Sequence, residues 1–160
     1  MKNVRKFSAY TLMEMVIVLA VIGVVVLMAM PSQLGKHTQL KIVENIELVE
    51  PYKANIEAFY RATGLFPEDN EQASIPLPEK IVGNYLTEMY VENGAMHLVL
   101  GQKLNRLENQ IITIFPVYVK DSLSSPITWI CGYDEIPAGL LAAGENKTDV
   151  KKNNLPLRCR

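Results

Sequence analysis

The chain has 160 residues, enough for one domain of ordinary size but not for two large ones. Hydrophobic residues make up 49% of it and charged residues 21%, as in an ordinary globular protein. The 16 basic and 17 acidic residues leave a net charge of -1. This charge argues against steering of nucleic acid by the whole molecule. Two cysteines exclude a disulfide-dense miniprotein and a four-cysteine zinc site.

The N-terminus combines a basic segment with a long apolar stretch. Residues 1–9 contain three basic residues and no acid, and the 21 residues from Tyr10 to Met30 carry a single charge, on Glu14. A helix of this length rises about 30 Å, enough to span a bilayer. The basic flank predicts that the N-terminus stays in the cytoplasm and that the rest of the chain lies outside.

Three interpretations of this segment compete. A cleaved secretory signal has an apolar core of about 7–15 residues, which is shorter than the stretch observed. A plain membrane anchor gives no reason for Glu14, because a carboxylate in hydrocarbon costs a few kcal/mol. An acid inside an apolar segment therefore indicates a function, and the third interpretation is a specialised processing and assembly signal.

The residues around this acid resemble the processing site of type IV prepilins. In that family a small residue, usually Gly, precedes the cut, an aromatic residue, usually Phe, follows it, and Thr-Leu and a glutamate come next. In this chain Ala9 and Tyr10 stand in place of Gly and Phe, whereas Thr11, Leu12 and Glu14 match the pattern.

The resemblance implies cleavage between Ala9 and Tyr10 by an inner-membrane prepilin peptidase, which also methylates the new amino group of Tyr10. It implies three parts of the chain: a leader over 1–9, a transmembrane and filament-core helix over 10–30, and a globular head over 31–160. Within the helix it assigns Thr11 and Glu14 to assembly, with Glu14 pairing with the amine of an incoming subunit.

A second periodic stretch predicts an amphipathic helix with one face toward a core. Its apolar positions recur every three or four residues, at Leu40, Val43, Ile46, Val49, Tyr52, Ile56 and Phe59. The helix is predicted to end near Thr63, with Gly64 as its C-cap. Pro31 and Pro51 lie inside the pattern, where similar pilins have prolines, and are predicted to kink rather than end one long helix running from Tyr10 to Thr63.

The rest of the chain predicts short strands joined by turns. Asn93-Gly94 is a hairpin signal, and Pro116 is predicted to end a strand or to mark an edge. The strand candidates are Tyr85–Val91, Ala95–Leu100, Ile111–Phe115 and Ile127–Cys131. Hairpins without intervening helices predict an antiparallel sheet. The predicted fold class is therefore α+β, with the long helix packed on a small sheet, as in pilins.

Cys131 and Cys159 fall on the side of the membrane where disulfides persist. They predict a bridge worth on the order of 3 kcal/mol. Buried free thiols or a redox pair are the alternatives, although the chain has no CxxC motif. The enclosed residues 132–158 predict an exposed loop, and the resemblance implies that this loop is a variable outer surface.

No catalytic motif and no requirement for a cofactor or metal follow from the sequence. His37 and His97 are interpreted as structural, because neither has a Cys or a carboxylate at ligand spacing. The acid pairs 68–69 and 134–135 could hold calcium but are interpreted as solvated loops. The segment 145–160 has a net charge of +3, which could meet phosphates of a nucleic acid or acids of a neighbouring subunit.

The sequence thus predicts a non-enzymatic subunit of a type IV pilus, a helical homo-oligomer that also contacts other pilins and the assembly machinery of the inner membrane. It is expected in the inner membrane before assembly and in an extracellular fimbrium afterwards. A minor pilin, a type II secretion pseudopilin and a membrane-tethered binding module remain alternatives. Adhesion, twitching motility and DNA uptake are not distinguished.

Overall fold

The computed structural model describes residues 11–29 and 33–160. Ala9, Tyr10 and Pro31, to which cleavage, methylation and one kink were assigned, lie outside the described residues. The chain divides into an N-terminal unit that ends at Leu34 and a second unit over Gly35–Arg160.

The described part of the chain begins with three α-helices: α1 over Leu12–Ala29, α2 over Gln33–Val49 and α3 over Tyr52–Thr63. The predicted end of the helical region is confirmed, because Gly64 has a left-handed φ of 77° and its N–H donates to the carbonyl of Tyr60. Glu50 and Pro51, where a kink is predicted, form a two-residue turn between α2 and α3, and Pro51 keeps helical dihedral angles, with φ -60° and ψ -29°. Proline has no N–H to donate to the preceding turn, so the helical hydrogen bonding is interrupted there.

Five antiparallel strands follow among the residues that the structure describes: β1 over Leu86–Glu92, β2 over Ala95–Leu100, β3 over Ile111–Tyr118, β4 over Thr128–Cys131 and β5 over Leu141–Ala142. The sheet order is β1-β2-β3-β4, and β5 pairs with β3. The predicted hairpin is confirmed, since Asn93 and Gly94 both have positive φ and join β1 to β2. Gly94 is required there because a Cβ would lie 2.7 Å from the Phe66 ring. Short 3₁₀ turns lie at Pro78–Lys80, Gln102–Leu107, Lys152–Asn154 and Leu157–Cys159.

Pro116 does not end β3, so the first of the two positions predicted for it is wrong. The strand continues to Tyr118, and Val117 pairs with Thr128 of β4 on one side and with Ala142 of β5 on the other. The pairing of β2 with β3 stops at Ile114, so Pro116 lies where β5 takes over from β2 along the same edge. A proline is tolerated at this junction because no carbonyl of β2 lies opposite it, so the absence of a proline N–H leaves no β2 acceptor unpaired.

One face of the sheet packs against α2 and α3 to form the main core. Ile42, Ile46, Val49 and Ile56 are buried together with strand residues such as Leu98. The buried face predicted from the sequence is wrong at its start. Leu40, which was assigned to that face, is exposed, and Ile42, two residues later, is buried.

The loop before β1 is organised by the buried amide of Asn70, which the sequence did not predict. The Asn70 Nδ2 donates to the carbonyls of Pro76 and Met89, and its Oδ1 accepts from the N–H of Val91. These bonds replace the backbone pairing that an irregular buried segment lacks. Asn70 therefore fastens the loop to β1 and fixes the entry of the chain into the sheet.

Candidate functional site

Helix α1 is apolar on all sides, and every side chain from Thr11 to Val26 is exposed. A helix that is hydrophobic all round is stable when it is surrounded by other apolar groups. Exposed apolar surface of this extent marks a site of association. Within the part of the chain that the structure describes, no helix meets the length and apolarity of a membrane span.

The two residues assigned to assembly lie together at the start of α1. Glu14 is in the first turn, and its backbone N–H donates to the Thr11 Oγ1 at 3.3 Å. Thr11 therefore caps the helix, and Thr-x-x-Glu is the spacing of a capping box. A carboxylate in the first turn also interacts favourably with the helix dipole. Thr11 and Glu14 thus have a local role that the sequence reading did not identify.

The disulfide between Cys131 and Cys159 is present, with a Cα–Cα distance of 4.5 Å. Both cysteines belong to the main core. The prediction that residues 132–158 form an exposed loop is wrong for the second half of the segment. Residues 134–139 are exposed, whereas Val150 and Leu155 are completely buried. Although the segment is polar in composition, Val150 and Leu155 are therefore part of the main core.

Residues 146–149 run along β3 beyond the end of β4. Asp149 donates its N–H to the carbonyl of Ile111 and accepts the N–H of Ile111 on its carboxylate. The hydroxyl of Thr148 accepts the N–H of Thr113 at 3.0 Å. The Asn146 Nδ2 donates to the carbonyl of Gly132 at 2.6 Å. Asn146, Thr148 and Asp149 therefore hold the disulfide-bounded segment to the sheet through hydrogen bonds to the backbone.

His97 lies at the centre of a polar cluster between the sheet and this segment. Its ring is completely buried, stacks on Tyr90 and places Nδ1 3.0 Å from the Thr113 Oγ1, which also accepts the backbone N–H of Lys147. This contact is a hydrogen bond in which either the Thr113 hydroxyl or the ring N–H donates, depending on the tautomer of His97. Nε2 has no hydrogen-bond partner and faces the Glu92 carboxylate at 3.8 Å, which pairs with the Lys147 ammonium.

The surroundings of His97 disfavour its charged form. Burial and the Lys147 charge lower its pKa from 6.5 to about 4, while the Glu92 carboxylate opposes this shift. The hydrogen bond from Lys147 in turn lowers the pKa of Glu92. His97 is therefore uncharged in the folded protein near neutral pH, which agrees with the interpretation of His97 as structural.

We expect the head to lose stability between pH 6.5 and pH 4 because of His97. The unfolded chain binds this proton near pH 6.5, whereas the folded chain resists it until about pH 4, so stability is full above 6.5 and falls with pH across this window. The loss should be about 2–3 kcal/mol at pH 4.5. Chemical denaturation at pH 7 and 4.5 measures it. His97→Gln, which does not titrate, is the control, and an equal loss in this variant would contradict the assignment.

No chemistry of catalysis or metal binding is assembled in the described residues. They contain no group of three His, Cys, Asp or Glu side chains that could hold a metal ion. The acid pairs are exposed, and Asp69 and Asp134 each accept a nearby backbone N–H. His37 is exposed on α2, and Pro51 occupies the turn between α2 and α3. The candidate functional features are therefore the apolar α1 and the surface of the head.

These features are an exposed apolar helix and a disulfide-bounded head without a catalytic centre in the described residues. A family model described as pilin, a bacterial filament protein, matches residues 41–160. A type IV major pilin protein of Neisseria gonorrhoeae is 27% identical, over 96% of this chain and 87% of that protein. A fimbrial protein of Neisseria meningitidis serogroup B is 25% identical, over 96% of this chain and 94% of its own length.

A third relative, the fimbrial protein EcpC of Eikenella corrodens, is 29% identical over 57% of each chain. The match to the family model covers most of the head, and the alignments to the Neisseria proteins extend over nearly the whole chain. The chain belongs to the pilin family. It is a structural subunit of a pilus and not an enzyme.

Proposed function

We propose that this pilin is the subunit of a type IV pilus and polymerises through its N-terminal helix into a surface filament. The observation that carries the proposal is α1, whose apolar side chains are exposed on every side. Such a helix buries its surface most completely in a bundle with copies of itself, which leaves the polar head outside. The names of the Neisseria relatives, which are type IV major pilin and fimbrial proteins, support the type of filament.

Before assembly the same helix would hold the protein in the inner membrane. The stretch 10–30 has one acid, and the three basic residues of 1–9 favour a cytoplasmic N-terminus, so the head would lie in the periplasm. The disulfide of the head is consistent with this oxidising side of the membrane. The pilus assembly machinery would then transfer subunits from the membrane into the filament.

Processing provides the first test of this proposal. We expect removal of residues 1–9 by prepilin peptidase and one added methyl group on Tyr10, because the sequence from Ala9 to Glu14 follows the prepilin pattern. Intact-mass spectrometry of the protein from its native host measures both changes. A chain that starts at Met1 would favour a tethered binding module, and a start near Pro31 would indicate a secretory signal.

The abundance of this chain in sheared filaments tests the function directly. The subunit of the filament shaft should be the main protein of the sheared fraction, and a strain that lacks the gene should produce no such filaments. A minor pilin would be present in trace amounts only, and a pseudopilin would remain in the periplasm. The match to fimbrial proteins over nearly the whole chain favours the shaft subunit.

A further inference from the structure

A groove of about 450 Å³ lies between α2 and the start of β1, with the polar side chains of Glu44, Asn45 and Asn84 among its lining. Leu48 and Val82 line it and are 43% and 59% exposed. Gly83 keeps the groove open, since a Cβ at this position would lie 2.7 Å from the end of the Leu48 side chain. The head therefore presents a concave apolar surface that its own side chains leave uncovered.

The rim of the groove is acidic. The Glu44 carboxylate accepts a hydrogen bond from the Asn84 side chain at 2.7 Å, and Glu47 is exposed one turn further along α2. Neither carboxylate has an ion-pair partner among the residues that the structure describes. The groove thus combines an apolar floor with negative charge at its edge, which favours an apolar side chain flanked by cations.

The last ten residues of the chain carry such a side chain. Residues 151–160 contain four basic residues and no acid, and Leu157 is 82% exposed. Leu155 and Cys159 on either side of it are completely buried, so the backbone holds Leu157 outward on a short 3₁₀ turn. Among the described ion pairs, none involves a cation of this segment, which we call the basic tail.

The groove and the basic tail lie on opposite flanks of α2. The Gln39 side chain donates to the carbonyl of Asn153 and marks the flank next to the tail. Leu48 follows nine residues later, and at about 100° per residue it points to the opposite side of the helix. One chain therefore cannot bring its own tail into its own groove. A heterologous, head-to-tail contact requires two different complementary surfaces on opposite sides of the molecule.

We propose that the basic tail of one copy docks in the groove of a neighbouring copy in the filament. Leu157 would cover Leu48 and Val82, and tail cations such as Arg158 would face Glu44. This inference rests on the proposed filament function and adds a contact between heads. A single groove is small compared with a stable interface of about 1,200–2,000 Å², so the apolar helices supply most of the area and the head contact sets the register.

Cross-linking in assembled filaments tests the contact. Val82→Cys and Leu157→Cys are combined in one chain, both at exposed positions, and filaments are treated with a short bismaleimide that does not need an oxidant. We expect a ladder of covalent multimers on denaturing gels. The matched control combines Leu157→Cys with Leu65→Cys, which is 71% exposed beyond the end of α3, and should stay monomeric, as should each single variant.

Charge reversal tests the electrostatic part of the contact in the same assay. Arg158→Glu should slow the cross-link between positions 82 and 157 about threefold, which is the effect expected for an exposed ion pair, and adding Glu44→Lys should restore the rate.

Filaments of normal yield without a ladder, or with an equal ladder in the control, would overturn the head contact but leave the filament function. Absence of filaments from the unchanged protein would overturn both. A tail that binds a DNA duplex while no ladder forms would assign the basic tail to nucleic acid instead.

Discussion

Glu14→Ala should abolish filaments while leaving membrane insertion and mature protein intact. In the proposed filament the Glu14 carboxylate pairs with the cationic amine of an incoming subunit among apolar helices. Removing one partner of a buried pair costs about 3–5 kcal/mol, because the other charge stays buried without compensation. Docking of each subunit would then weaken by more than about a hundredfold. The measurement compares sheared filaments with cell-associated mature protein in cells that express the variant alone.

The contact between Glu14 and Thr11 makes matched controls necessary. Glu14→Gln keeps a residue that suits a capping box but removes the charge, so it should be as defective as Glu14→Ala. Thr11→Ala removes the hydroxyl that accepts the Glu14 N–H and should cost about 1 kcal/mol of helix stability, with a small effect on yield. Glu14→Asp should be partly defective because its carboxylate is one methylene short. Normal filaments from Glu14→Gln would show that the charge is not needed.

Removing the disulfide should lower the free energy of unfolding of the head by about 3–4 kcal/mol. The cysteines are 28 residues apart, and cross-linking a loop of this length restricts the unfolded chain by that amount in the chain-entropy model. We expect the basic tail to be affected first, because besides the bridge it is held mainly by the buried Leu155 and Pro156. Urea unfolding of the Cys131→Ala/Cys159→Ala variant measures the loss.

The reduced protein is the control for this variant. Reduction opens the bridge but keeps both sulfur atoms in the core, so it separates the cross-link from the packing of the side chains. Equal losses in the reduced protein and in the double alanine variant would assign the effect to the cross-link. A variant as stable as the oxidised protein would show that the buried residues of 143–159 hold the segment without it. The same variants should lower the yield of filaments if a fixed tail is part of the head contact.

Local signals predicted the elements of the fold well. The Asn93-Gly94 hairpin, the cap at Gly64 and four of the five strands follow from short-range turn chemistry and alternation of side chains. The two-residue strand β5 was missed, because it has no pattern of its own and forms only by pairing with β3. The sequence predicted a kink at Pro51 but not the turn at Glu50 and Pro51, since it does not show whether the flanking turns compensate for the missing N–H.

Composition and local spacing are sufficient to predict an apolar N-terminal helix with one acid, a β-rich head and a pair of cysteines. The buried side of α2, the position of His97 and the attachment of residues 146–149 to β3 do not follow from such local signals. These contacts join residues that are distant in the chain, and their partners are chosen by the register of the sheet and by the packing around it. The groove beside Leu48 and the position of Leu157 on the opposite flank are of the same kind. The groove exists only because α2 packs next to the start of β1, and the position of Leu157 depends on the contact of the basic tail with the other flank of α2.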